Sequence, residues 1–78
     1  MTVREILEKL ETFKVIAEER KDYYGWVYAD EWISFLEYEY GEYGLDTEFE
    51  LGESEEDYAT EQGSVYTYAL LDFIEELL

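Results

Sequence analysis

The sequence predicts an α-rich fold, α or α+β, with about three helices in one small domain spanning residues 1–78 and room for a short β-hairpin between the second and third helices. Apolar residues recur at helical spacing near both ends of the chain, and cap-forming residues precede those runs. An apolar fraction of 47%, with nine Tyr, four Phe and two Trp, supplies a core that disordered acidic chains lack. A compact chain of this length has a radius of gyration of roughly 11–12 Å.

Thr2 and Glu5 fit a capping box, in which side chain and backbone satisfy each other's donors across the first turn. Val3, Ile6, Leu7, Leu10, Phe13 and Ala17 then trace one helical face, so a helix is expected over about residues 3–20, although the β-branched Thr12, Val15 and Ile16 would also suit a break into a short strand. Asp22 to Gly25 reads as a turn, with Gly25 free to take positive φ. Trp26-Val27-Tyr28 suits a short strand or the entry to a second helix, for which Asp30 is the expected N-cap. Trp32, Ile33, Leu36 and Tyr40 form its apolar stripe, and Gly41 or Gly44 would end it.

Between Asp46 and Gly52 strict alternation puts Phe49 and Leu51 on one face and Glu48 and Glu50 on the other, a strand pattern. Residues 52–63 read as an acidic loop with one helical turn around 55–60. Ser64 caps a final helix whose broad apolar face comprises Val65, Tyr66, Ala69, Leu70, Phe73, Ile74, Leu77 and Leu78. The first and last helices are expected to supply most of the core.

Charge divides the chain sharply. All five cations, Arg4, Lys9, Lys14, Arg20 and Lys21, lie in the first 21 residues, beside five glutamates that cancel them. Residues 22–78 carry every one of the 17 net negative charges and no cation. Uncompensated like charge destabilises a compact state, so its retention points to use by a basic partner. Glu75 and Glu76 repeat the signal, because anions in a helix's last turn oppose its dipole by about 0.3–1 kcal/mol each.

Several function classes fit poorly. With no His and no Cys, and no evident base beside Ser34, Ser54 or Ser64, the composition argues against an enzyme. Asp46, Glu48, Glu50 and Asp57 fall at positions 1, 3, 5 and 12 of a calcium loop, but Leu51 stands where that loop requires glycine, so neither a metal nor a cofactor is expected. The serine contexts lack the Asp-Ser-Leu of acyl carrier proteins. Direct nucleic-acid binding needs a cationic patch that residues 22–78 do not contain. No apolar run reaches membrane-spanning length, and the N-terminal residues lack a signal-peptide layout; a cytoplasmic location is expected.

The candidate partner-binding stretch is acid–tyrosine: Glu37, Tyr38, Glu39, Glu42 and Tyr43, extended through Asp46, Glu48, Glu50, Glu53, Glu55, Glu56 and Asp57. Carboxylates can occupy phosphate positions, where arginine binds them bidentately and tyrosine faces add cation–π contact. Tyr40 reads as core, and Glu8 and Glu61 as solvated surface. Duplex DNA carries one charge per about 1.7 Å, so a domain about 30 Å long faces about 18 phosphates, close to the chain's own total.

In size, charge and acid–aromatic composition the chain resembles the small acidic DNA-mimic inhibitors of phages and mobile elements, the anti-CRISPR and anti-restriction class. That resemblance implies a stoichiometric inhibitor of a basic nucleic-acid-binding protein, such as a CRISPR effector or restriction enzyme; the apolar faces of the first and last helices leave monomer and homodimer both open. Two alternatives use the same charge: an antitoxin-like cap for a basic ribonuclease or toxin, and an acidic structural partner of a basic protein.

Overall fold

The computed structural model describes residues 1–78 and contains four helices, α1 (Val3–Glu19), α2 (Tyr23–Tyr40), α3 (Glu53–Gln62) and α4 (Val65–Leu77), with no strand. The molecule measures 33 × 23 × 21 Å, with a Cα radius of gyration of 11.8 Å.

The capping box forms at α1: Glu5 N–H donates to Thr2 Oγ1 at 3.3 Å, and Thr2 N–H donates to Glu5 Oε1 at 3.1 Å. Two further first-turn donors remain, and carbonyls within and just before the segment expected to be a strand satisfy them. Val3 N–H donates to the Thr47 carbonyl at 3.0 Å and Arg4 N–H to that of Leu45 at 2.8 Å. Thr12, Val15 and Ile16 leave the helix unbroken.

Residues 46–51 therefore form a loop that closes the start of α1, and no hairpin exists. Pairing stops at a single bridge between Thr2 and Glu48, because α1 begins immediately afterwards and offers no second strand. The alternation itself is real. Phe49 is buried and Leu51 half-buried, while Glu48 and Glu50 face outward.

α2 starts two turns earlier than an Asp30 cap would place it. Asp22 is the cap, its carboxylate accepting the Gly25 N–H at 3.0 Å. Gly25 is helical and buried, and a Cβ there would lie 2.6 Å from Asp22 Oδ2, so glycine serves close approach and not positive φ. Lys21, at φ 59°, takes the left-handed conformation that reverses the chain. Asp30 instead sits mid-helix, where Lys14 Nζ donates to it at 2.8 Å. Gly41, at φ 62°, ends α2 as its position in the sequence predicts.

The acidic segment after Gly52 is a full ten-residue helix, not a loop with one turn. Glu53, Glu55 and Glu56 occupy the first turn of α3, where the macrodipole favours anions, and Gly63 at φ 63° terminates it. Ser64 then caps α4, accepting the Tyr66 N–H at 3.2 Å.

The core centres on α2, not on the first and last helices. Its Ala29, Trp32, Ile33 and Leu36 pack against Val3, Ile6 and Leu10 of α1 and Leu70 and Ile74 of α4, with Phe49 and Ala59 completing the cluster. Trp32 is fully buried, and its Nε1–H donates to the Thr67 carbonyl at 3.2 Å. Burying a side chain of this kind contributes about 1.5–3 kcal/mol, so α2 anchors the surface that α3 presents.

Candidate functional site

α3 has one side in the fold and one side out. Glu55 and Ala59 point inward; Glu53, Asp57 and Glu61 follow one another at i, i+4 and i+8 on the exposed side, with Glu56 beside them. At a helical rise of 1.5 Å per residue these three repeat about every 6 Å along the axis. Like charges at that spacing oppose the helix by a few tenths of a kcal/mol per pair, and no cation lies on α3 to relieve them.

The C-terminal half of α2 adds to this side unevenly. Glu39 and Tyr38 line one open cavity with Asp57 and Glu61. Glu37 and Glu42 line another, against Leu7 of α1 and Leu45. Helical geometry causes the split, since residues 37 and 39 differ by about 200° around the axis. The acidic run is thus two flanks separated by α2, and Glu39 alone of the α2 carboxylates shares a cavity with those of α3.

Three of the expected contact residues are already engaged within the fold. Glu55 is 4% exposed, accepting the Gly52 N–H at 3.0 Å and the Tyr40 hydroxyl at 3.3 Å. Burial, followed by the Glu55 charge, pushes the Tyr40 hydroxyl up to about 12. Asp46 pairs with Arg4 at 3.1 Å, and Glu48 pairs with the Met1 amino group at 2.5 Å. The hydrogen bond that this amino group donates to Glu48 raises its pKa. Glu50 is exposed in the loop that closes α1, just ahead of Glu53. Exposed and free of ion pairs are Glu37, Glu39, Glu42, Glu50, Glu53, Glu56 and Asp57, with Tyr38 and Tyr43 88% and 97% exposed.

The premise of a wholly unpaired acidic segment needs one correction. Asp30, Asp46 and Glu48 take Lys14, Arg4 and the amino terminus, so two of the five cations reach across to residues 22–78. The Asp30 hydrogen bond raises the Lys14 pKa, and Lys14 also lies 4.7 Å from the Trp26 ring centroid. Lys9, Arg20 and Lys21 remain without an ion pair.

Glu61 and Glu31 were outside the expected set, yet both line cavities beside Tyr58. Tyr58 stacks on Phe35 with centroids 4.1 Å apart and planes at 8°, and meets Trp32 edge-on at 4.8 Å. Burial and then the Glu31 charge raise the Tyr58 hydroxyl. No spacing rule links positions 31 and 58; only the helical phase of Glu61 behind Asp57 was there to be read. No group of three or more acidic side chains converges closely enough to hold a metal ion, and the twelve-residue span from Asp46 is part loop and part α3. No helix is long and apolar enough to cross a membrane. No protein-family model, curated protein or solved structure matches the chain.

Proposed function

We propose that the protein is a stoichiometric inhibitor that binds the nucleic-acid-binding surface of a basic DNA-processing enzyme, of anti-CRISPR or anti-restriction type, by presenting carboxylates where DNA presents phosphates. The observation that carries this reading is the α3 strip, Glu53, Asp57 and Glu61 with Glu56 and Glu39 beside it, exposed and free of ion pairs in a molecule that has three unpaired cations elsewhere. A domain selected for stability alone would place a lysine among them.

Affinity on this reading is electrostatic and distributed. Association is fast and salt-sensitive, since opposite potentials steer encounter. The test is DNA binding by a candidate effector, measured with and without this protein across a salt series. Inhibition that weakens with salt and with competing DNA supports the reading; inhibition indifferent to both overturns it.

A further inference from the structure

We propose that the outward face of the first half of α2, formed by Tyr23, Tyr24 and Val27 with Tyr66 of α4 beside them, is the interface of a two-fold homodimer. This surface lies apart from the carboxylates that the proposed inhibition uses.

In a chain with 22 acidic residues, the two longest stretches without one are 62–71 and 23–29. The fold sets them side by side. The Tyr66 ring stacks on Tyr24 and on Tyr28, each at 5.6 Å between centroids, with planes at 19° and 5°. Tyr23 and Tyr24 stand at i−4 and i−3 from Val27, so the four side chains make one surface. They stay in water: Tyr23 is 75% exposed, Tyr24 65%, Tyr66 44% and Val27 41%. A whole aromatic side chain presents about 150–250 Å², so together they expose about 400 Å². An apolar patch of that size marks an interaction site.

The occupant this face fits is a second copy of the chain. A basic partner is steered to carboxylates, and these two stretches have none. Copies with a net charge of -17 repel through every acid-bearing surface, so a second copy meets least opposition here. The ends of the α2 stretch are also self-complementary, as an isologous contact requires. Arg20 and Lys21, without ion pairs in the fold, precede it, and Glu31, likewise without one, follows it. Glu18, Glu19 and Asp22 leave the turn around those cations near neutral, against the anionic surface elsewhere. A two-fold axis level with Gly25 and Trp26 lays α2 antiparallel on its copy. Tyr23 of each then meets Val27 of the other, and the two cations of each stand beside Glu31 of the other. Both patches together bury about 800 Å² of apolar surface, the centre of an interface of about 1,200–2,000 Å².

Sedimentation velocity of the full chain from about 1 µM to about 1 mM, at about 0.1 M and about 1 M salt, tests this. The expected result is a concentration-dependent rise to twice the 9.4 kDa of the chain and no further. Salt should tighten the dimer, because the Debye length falls from about 10 to about 3 Å and the like charges of the two copies are screened. Val27→Glu and Val27→Lys change the net charge in opposite directions, and each should weaken the dimer at least about tenfold by placing a charge at the axis. Circular dichroism checks that both variants fold. Tyr43→Glu, at a position 97% exposed and outside the patch, adds the same charge as Val27→Glu and should leave the dimer within about twofold. A monomer across the whole range, growth beyond the dimer, or Val27 variants that associate like wild type would overturn the interface. Competition with DNA is a separate readout. Its absence in a dimeric protein removes the proposed inhibition and leaves the interface, whereas a monomeric wild type that competes removes only the interface.

Discussion

Asp57→Lys should stabilise the protein while weakening its hold on a basic partner. Asp57 stands at i+4 from Glu53 and i−4 from Glu61, all three exposed on α3. Each like-charge pair at this spacing costs about 0.2–0.5 kcal/mol, and an opposite-charge pair returns a similar amount. Reversing the central charge removes two repulsions and creates two attractions, a swing of about 1 kcal/mol or slightly more. In a domain of this size that raises the thermal midpoint by roughly 4–8 °C. Aspartate is also a weaker helix former than lysine, so Asp57→Gln serves as control: glutamine matches lysine in propensity without its charge and should fall midway. Thermal unfolding followed by circular dichroism at about 0.01 M and about 1 M salt is the measurement, because the Debye length shrinks from about 30 to about 3 Å. A lysine variant no more stable than the glutamine variant at low salt, or an equal advantage over it at both salts, would refute the charge accounting. A lysine variant that is more stable yet competes with DNA as well as wild type would refute the idea that this carboxylate is kept for a partner.

The same logic applies to the end of α4, where Glu75 and Glu76 occupy a last turn without a basic residue; Glu75→Lys and Glu76→Lys should each stabilise by about 0.3–1 kcal/mol in urea unfolding, and an unchanged or lower midpoint would contradict it. Trp32→Phe removes the donor to the Thr67 carbonyl and opens space in a fully buried site, so about 2–4 kcal/mol should be lost, read as a fall in the urea midpoint with an unchanged m-value. Tyr40 ionises near 12 in the fold against 10.0 in a free chain, so the folded state holds its proton longer; that stabilisation is complete below pH 10 and is lost as pH rises towards 12. Tyr40→Phe should flatten this alkaline decline, leaving the smaller share owed to Tyr58, and an equally steep decline in the variant would show that Tyr40 is not its source.

The elements most legible in the sequence were those whose caps and apolar stripes agreed. α1 announces itself through Thr2 and Glu5, and α4 through Ser64 and the leucine-rich face behind it. α2 was recognisable over its second half, but its start was hidden. Asp22 and Gly25 look like a turn because turns and helix caps draw on the same residues, and an unlikely Lys21 carries the positive φ. α3 was missed because a two-layer contact buries only Glu55 and Ala59, and a buried glutamate is invisible to apolar periodicity. Gly52 before three acids and Gly63 at the far end were the available signs. The strand was misjudged for a nonlocal reason: alternation specifies faces, whereas a strand also requires a neighbour.

The candidate site was legible as composition and not as geometry. Counting acids from Glu37 to Asp57 treats the run as one surface, yet α2 sends Glu37 and Glu39 to opposite flanks and α3 turns Glu55 inward. Glu31, Phe35 and Tyr58 meet only because α3 folds back on α2, a contact for which the chain carries no local signature.

Aromatic abundance and acidic charge are linked through stability more than through binding. Small domains bury a low fraction of their surface and are correspondingly marginal, so adding self-repulsion demands more stabilisation per buried residue. Aromatic side chains supply it: Trp32 meets Phe35 and Tyr58 edge-on, Phe35 stacks on Tyr58, Phe13 packs on Phe73, and Tyr40 on Phe49. Such pairs contribute about 0.5–1.5 kcal/mol each beyond their area, enough together to offset several like-charge contacts of a few tenths each. The aromatic count is therefore largely the structural counterpart of the carboxylates and is no independent sign of a ligand. Tyr38 and Tyr43 fall outside that account, because at 88% and 97% exposure they contribute almost nothing to the core. An exposed ring beside unpaired carboxylates is the arrangement that the proposed function calls on, because a cationic side chain is the group that both attract.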